Sequence, residues 1–153
     1  MKIDEEIKVT GAGIICYFDN RENIFENLKK DILFLVLEDF RGNYDLTKGT
    51  IDKGESSFSC AIRETFEESN LELIDFADIK KQPINVNGNL DMFLGQIKNK
   101  TMTNRESIIK LKVNKKINSP EHSSYYFLSF DNAKSKMYKF LIPYLQEAVS
   151  IIS

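Results

Sequence analysis

Three glutamates, Glu64, Glu67 and Glu68, are spaced so that one metal ion could bind all of them. Side chains at i, i+3 and i+4 of an α-helix lie on one face, because successive residues are rotated by about 100°. Three like charges on that face repel one another, and Mg²⁺ or Mn²⁺ offsets the repulsion by taking the carboxylate oxygens as ligands. Arg63 lies four residues before Glu67, and its planar guanidinium is suited to align Glu67 with Glu55 across a loop. The spacing therefore predicts a divalent-metal site on one face of a helix.

The residues around these glutamates are suited to a helix over residues 57–70 that is buried on its other side. Gly54 permits a tight turn before it, and Ser56 or Ser57 can cap the exposed N–H groups of its first turn. A second stripe of apolar or small side chains is expected to face the core: Phe58, Ala61, Ile62, Thr65 and Phe66. A helix with this pattern would bind metal on one side and pack on the other.

The segment from Gly49 to Leu71 resembles the Nudix box, Gly-x5-Glu-x7-Arg-Glu-U-x-Glu-Glu-x-Gly-U, where U is an aliphatic residue. The corresponding residues here are Gly49, Glu55, Arg63, Glu64, Thr65, Glu67, Glu68, Asn70 and Leu71. Every charged position matches, whereas Thr65 replaces an aliphatic residue and Asn70 replaces the glycine that ends the helix. Asparagine also adopts the left-handed conformation of a helix C-terminus, and threonine is about the right size for a core position. We therefore expect the loop–helix–loop to be kept.

The resemblance implies hydrolysis of a pyrophosphate bond in a nucleoside diphosphate linked to another moiety, with Mg²⁺ or Mn²⁺ as cofactor. It places the metal ligands at the backbone carbonyl of Lys48 and at Glu64, Glu67 and Glu68. It makes Glu64 the base or water-orienting residue, with Arg63 and Glu55 in the catalytic set. The chemistry agrees, because a bound metal ion neutralises a polyphosphate, polarises the phosphorus and lowers the pKa of the attacking water.

Two longer runs resemble the asymmetrical diadenosine tetraphosphate hydrolases of that family. Residues 44–55 are similar to their W-x-x-P-K-G-H-V-x-x-G-E run, and residues 119–128 are similar to their S-x-E-H-x-x-Y-x-W-L segment. The likeness implies that Glu121 is a further catalytic carboxylate at the metals and that Lys48 contacts phosphate. The other expected substrate-binding residues are Tyr44, Tyr125 and Tyr138, with Tyr138 stacked on a base. Such a stack contributes about 1–3 kcal/mol.

The sequence also departs from that subgroup. Tyr44, Thr47 and Thr50 stand in place of tryptophan, proline and histidine, and residues 86–89 lack the lysines that the subgroup uses for distal phosphates. A basic segment at residues 98–116 could supply cations instead, through Lys110, Lys112, Lys115 and Lys116. Most charge runs are solvated, so we interpret this segment as a surface loop.

The remaining candidate side chains are expected to be structural for the most part. His122 is the only histidine, and although it lies beside Glu121, an isolated histidine is more often structural than catalytic. Tyr125, Tyr126 and Phe127 alternate between the two faces of a strand, so at least one should lie in the core. Only one or two of them can face a ligand.

Length and composition bound the class of protein. A chain of 153 residues is expected to form a single domain, residues 1–153, with a substantial core. Its net charge of −2 provides no overall basic field that would attract nucleic acid. Cys16 and Cys60 have no C-x-x-C or zinc spacing, so reduced thiols and a cytoplasmic location are expected. No window approaches the ~18 apolar residues of a membrane span, so no membrane association is predicted.

The apolar pattern predicts an α/β fold. Strands are predicted at Val9–Phe18, Ile32–Leu37, Leu90–Ile97 and Ser123–Phe130, with a loop over Asp19–Lys30. From Asp131 onward apolar residues recur at helical spacing and predict a closing helix: Ala133, Met137, Phe140, Leu141, Tyr144, Leu145 and Val149. Strands on both sides of a central helix fit an α/β/α sandwich around a mixed β-sheet, which is the fold that the Nudix resemblance implies.

Three functions are compatible with these residues. The first is metal-dependent hydrolysis of dinucleoside polyphosphates, a small-molecule nucleotide substrate. The second is an enzyme that acts on capped or triphosphorylated RNA 5′ ends, with the basic segment as the RNA track. The third is a non-catalytic nucleotide-binding module. The intact carboxylates argue against the third, since a decayed site would be free to lose groups that repel one another. The sequence leaves the first two open.

Overall fold

The computed structural model describes residues 8–114 and 119–153. The strands are β1 (Gly11–Asp19), β2 (Ile32–Asp39), β3 (Tyr44–Asp45), β4 (Thr47–Thr50), β5 (Phe76–Ile79), β6 (Leu90–Ile97), β7 (Val113–Asn114), β8 (Ser119–Pro120) and β9 (His122–Leu128). The helices are α1 (Ser57–Ser69), α2 (Asn99–Thr103), α3 (Arg105–Ile108), α4 (Phe130–Ala133) and α5 (Ile142–Ile152), with 3₁₀ turns at Leu73–Asp75 and Lys139–Leu141. None of the helices within the described ranges is long and apolar enough to cross a membrane.

Within the described residues, one mixed sheet of seven strands forms the centre of the fold. Its order is β3-β2-β1-β6-β5, with β4 also paired to β1 and β9 also paired to β2. The β1–β6 pair is parallel and the other pairs are antiparallel. The central strands are continuous apolar runs because both faces of the sheet are covered. The predicted α/β fold with a mixed sheet between helices is confirmed.

The two faces of the sheet pack against different helices. Ile14 and Cys16 of β1 point to the face that holds α1, where they join a cluster with Cys60 and Ala61. The alternate residue Ile15 points to the other face, whose cluster is closed by buried side chains of α5: Tyr144, Leu145 and Ala148. Because successive strand residues face opposite ways, one strand contributes to both cores.

The closing helix predicted from Asp131 onward is interrupted. Ser129 caps α4 with its side chain, and α4 ends at Ala133. The chain then runs beside β3, where Tyr44 donates its N–H to the carbonyl of Lys136 (2.8 Å) and accepts the N–H of Tyr138 (3.2 Å). Those backbone groups cannot also make helical hydrogen bonds, so a continuous helix is excluded and α5 begins only at Ile142.

Two further predictions about surface residues were wrong. Within the described part of the basic segment, residues 98–114 are not a continuous loop, because they contain α2, which buries Thr101 and Met102, and α3, which is followed by the buried Ile109. Phe66 was expected in the core, but 37% of it is exposed and the Lys112 ammonium lies 3.3 Å from its ring centroid. Lys115 and Lys116, the other cations named for this segment, lie outside the described residues.

Candidate active site

Local sequence signals set both ends of α1. Gly54 has φ +79°, which opens the turn before the helix. The Ser56 side chain then accepts the N–H of Ser59 (3.0 Å) as the N-cap. At the other end Asn70 has φ +70° and donates its N–H to the Phe66 carbonyl (2.8 Å). The predicted loop–helix–loop is therefore confirmed, with asparagine in the left-handed position that glycine usually occupies.

Two departures from the expected pattern contact each other beneath α1. Thr65 replaces an aliphatic residue of the Nudix box, and Thr47 replaces a proline; both are buried. The Thr65 hydroxyl donates to Thr47 Oγ1 (3.0 Å), which donates to the carbonyl of Ile14 (2.9 Å). The buried hydroxyls are thus satisfied, and they join α1 to β4 and β1.

Arg63 organises the carboxylates on the exposed side of α1. Its Nε and Nη2 donate to the two oxygens of Glu55 (2.8 and 2.9 Å), as predicted. Its Nη1 donates to Glu64 (2.9 Å) and, as also predicted, to Glu67 (3.3 Å). The hydrogen bonds from Arg63 lower the pKa of Glu55 to about 2. Three acidic side chains are therefore held by one planar cation.

Glu64 lies against the backbone of β4. A Cβ atom added to Gly49 would come within 3.0 Å of the Glu64 carboxyl carbon and both of its oxygens. Only glycine leaves room for the carboxylate at this point. Burial is the main cause of a raised pKa for Glu64. Glu67 differs, because its side chain is 53% exposed.

Glu68, Glu121 and His122 form a cluster at the beginning of β9. Each offers one ligand atom, and these atoms all lie within 4.8 Å of one another. Burial raises the pKa of Glu68 well above its usual value, and the charges of Asp45, Glu121 and Glu64 raise it further. Carboxylate oxygens crowded in this way would be stabilised by a divalent cation, and hard oxygen ligands suit Mg²⁺ and Mn²⁺. The donor set therefore fits the metal that the resemblance implies.

Lys48 connects this cluster to a neighbouring cleft. Its backbone N–H donates to Glu68 Oε1 (2.8 Å), and its ammonium lies 3.1 Å from Asp45 Oδ1. Asp45 also lies 3.4 Å from the Nε2 atom of His122. Burial opposes the ionisation of Asp45, but His122 and Lys48 outweigh it, so the pKa of Asp45 lies below its usual value.

The cleft has a volume of about 440 Å³. Its lining is mostly neutral and polar: Thr10, Gly11, Lys48, Gly49, Thr50, Asn87, Asn89, Leu90 and Phe140. Phe140 is 49% exposed, and the Lys48 ammonium lies 5.6 Å from its ring centroid. The helical spacing had placed Phe140 among the core residues of the closing helix. Its exposure follows from the interruption of that helix, which changes the face on which residue 140 lies.

The three tyrosines predicted to bind substrate are not among the residues that line the cleft, although the Tyr138 ring centroid lies 6.2 Å from that of Phe140. The Tyr138 hydroxyl donates to Asp39. Tyr44 lies beside Tyr126, with ring centroids 6.0 Å apart. Tyr125 packs with the cluster on the α1 face, and burial is the main cause of the raised pKa of its hydroxyl. Of the four predicted substrate-binding residues, Lys48 is the one that lines the cleft.

Comparison with known proteins agrees with the Nudix resemblance found in the sequence. A family model described as the NUDIX domain matches residues 10–147. The chain is similar to a C. elegans Ap4A hydrolase, with 21% identity, a TM-score of 0.68, and coverage of 94% of this chain and 97% of that one. It is also similar to the M. smegmatis Nudix hydrolase RenU (11% identity, TM-score 0.63, coverage 95% and 88%). The NUDIX domain of Shewanella oneidensis NrtR, complexed with ADP ribose, has 10% identity, a TM-score of 0.62 and coverage of 95% and 89%.

Because all three sequence identities are low, these structural relatives show a shared fold alone. A search of curated proteins gave no significant match.

Proposed function

Because this chain belongs to the Nudix family of pyrophosphohydrolases, we propose that it hydrolyses a dinucleoside polyphosphate such as diadenosine tetraphosphate. The observation that carries the proposal is one juxtaposition: an exposed aromatic ring, Phe140, and a cation, Lys48, share a cleft beside the carboxylates of α1. The sequence likeness of residues 44–55 and 119–128 to the diadenosine tetraphosphate hydrolases supports the same substrate. A C. elegans enzyme of that activity shares the fold.

Nudix hydrolases generally use divalent metal ions, and we assign Mg²⁺ or Mn²⁺ here to Glu64, Glu67, Glu68, Glu121 and the backbone carbonyl of Lys48. The bound ion would neutralise the phosphates and lower the pKa of the attacking water. Glu64 is proposed as the base or water-orienting residue. Arg63 holds Glu64 and Glu55 in place by charge-assisted hydrogen bonds, so the carboxylates keep their orientation before substrate binds.

Lys48 and Phe140 would recognise different parts of the substrate. The Lys48 ammonium would contact a phosphate, and a purine would stack on the Phe140 ring in the place assigned to Tyr138 from the sequence. Stacking is suited to this position because every base has a flat face and the rest of the cleft is mostly neutral. The remote nucleotide would raise the rate by positioning the scissile phosphate.

A second candidate, hydrolysis at RNA 5′ ends, is favoured by one observation. Lys112 of the basic segment lies on Phe66 of α1, and Glu67 is among the charges that act on it. A cation of that segment therefore reaches the helix that carries the proposed metal ligands, where it would be available to an RNA chain. The unpaired, buried cysteines, Cys16 and Cys60, support a cytoplasmic location for either activity.

The test is a product-resolved assay with Mg²⁺ or Mn²⁺ over dinucleoside polyphosphates, nucleoside triphosphates and 5′-capped RNA. One stacked base at about 1–3 kcal/mol gives diadenosine tetraphosphate a kcat/KM roughly 5- to 150-fold above that of ATP. Phe140→Ala should reduce this preference, whereas Phe40→Ala, at a ring that is 67% exposed on the β2–β3 turn, should leave it unchanged. Equal kcat/KM values for the two substrates, or a higher value for capped RNA, would reject the dinucleotide proposal.

A further inference from the structure

One carboxylate outside the Nudix box joins the two halves of the proposed site. Asp45 ends β3, and its side chain is only 16% exposed. Its Oδ1 atom lies 3.1 Å from the Lys48 ammonium and accepts the N–H of Leu46 (2.9 Å). Its Oδ2 atom lies 3.4 Å from Nε2 of His122. A single, largely buried carboxylate thus contacts the cation at the cleft and the imidazole beside Glu121.

The backbone around Asp45 makes this arrangement rigid. Leu46 and Thr47, which separate Asp45 from Lys48, are both buried. His122 is 5% exposed and pairs with Asp39 of β2 at the point where the strand register shifts. The two partners of Asp45 therefore come from different strands that are each fixed in the sheet.

Lysine needs such an anchor if it is to hold a phosphate at a defined place. Its four-carbon stem has many rotamers, and ordering it costs conformational entropy. A residue that orders the stem before substrate arrives removes that cost from binding.

We propose that Asp45 is a positioning residue: it holds the Lys48 ammonium at the cleft and the His122 imidazole at the carboxylate cluster, so that the two stay at a fixed separation. We rest this inference on the proposed function, in which Lys48 contacts a phosphate. Asp45 itself does not touch the substrate and acts through Lys48.

A double-mutant cycle measures whether the effect of Asp45 on ligand binding depends on Lys48. The variants are Asp45→Asn, Lys48→Met and the pair together, with AMP and Mg²⁺ as the probe in isothermal titration. AMP has no anhydride bond, so its binding can be measured whether or not the protein hydrolyses anything. Asp31→Asn is the matched control, because Asp31 also accepts the N–H of the next residue, Ile32 (2.7 Å), at the start of a strand.

Asp45→Asn should weaken AMP binding by about tenfold, the scale set by the ordering of one lysine side chain. Lys48→Met should weaken it at least as much, and the double variant should be no weaker than Lys48→Met alone. On a hydrolysed substrate, Asp45→Asn should raise KM with little change in kcat. Asp31→Asn should leave the AMP affinity, KM and kcat unchanged.

Asp45→Ser, which also removes the carboxylate, replaces Asp45→Asn in the cycle if that variant does not fold. Independent, additive losses from Asp45 and Lys48 would overturn the inference, as would an unchanged AMP affinity in Asp45→Asn or Lys48→Met, or a wild-type protein that does not bind AMP. A wild-type protein that binds AMP with the expected coupling but hydrolyses no member of the substrate panel would reject the proposed function and uphold the positioning role.

Discussion

Gly49→Ala tests whether the place of the Glu64 carboxylate matters for the reaction. Gly49 lies in β4 opposite Ala12 of β1, and its φ is not positive, so alanine can adopt its backbone conformation. The new Cβ would lie within 3.0 Å of the Glu64 carboxylate, whereas ordinary van der Waals contact begins at 3.4 Å. The atoms in its way are the far end of a flexible side chain. The carboxylate can therefore move while the strand stays in place.

The size of the effect follows from that displacement. The carboxylate has to retreat by about 1 Å, and a misplacement of that size at a reacting centre can cost about 10²-fold in rate. We expect kcat with Mg²⁺ to fall by about 10²-fold. The free energy of unfolding should change by less than about 1 kcal/mol, because the Glu64 carboxylate is only partly buried and no backbone strain arises.

The assay pairs steady-state kinetics with urea unfolding, and Gly42→Ala is the matched control. Gly42 has φ +87° and no atom within 4 Å of a Cβ placed there. Alanine at residue 42 should cost about 1–2 kcal/mol of stability through its left-handed backbone and leave kcat unchanged. Wild-type kcat in a folded Gly49→Ala variant would refute the reasoning, as would a rate loss matched by global destabilisation.

The remaining predictions concern the base, the metal and the thiols. Glu64→Gln should fold normally and lose at least about 10²-fold in kcat; wild-type turnover at saturating Mg²⁺ would exclude Glu64 as the base. Chelation by EDTA should abolish hydrolysis without changing the far-UV circular dichroism, because the two cores pack apart from the carboxylate cluster; a collapse of the signal would make the ion structural. Burial raises the pKa of Cys16 to about 12 and that of Cys60 to about 11, so a disulfide reagent at pH 8 should modify neither in the folded protein. Since both values exceed the usual thiol pKa of 9.0, the unfolded chain ionises first and stability should fall as the pH rises above about 9, which urea titrations at a series of pH values would measure.

The sequence alone determined those features whose causes lie within a few residues. The ends of α1 follow from Ser56 and Asn70, because capping depends on the local backbone and one side chain. The carboxylate stripe of Glu64, Glu67 and Glu68 follows from helical periodicity. The central strands could be predicted because burial on both faces of a sheet requires continuous apolar runs.

Only the tertiary structure decided which distant residues meet. Glu121 and His122 join Glu68 because β9 pairs with β2. The family resemblance implied this place for Glu121, but the local propensities of the segment do not encode the pairing. Phe140 lies at the cleft because β3 takes the backbone hydrogen bonds of residues 136 and 138 and interrupts the closing helix. Apolar spacing indicates that a side chain is suited to burial. It does not indicate which backbone groups will form hydrogen bonds with another strand. The sequence thus predicted how the carboxylates of α1 are arranged, whereas the cleft beside them depends on non-local strand pairing.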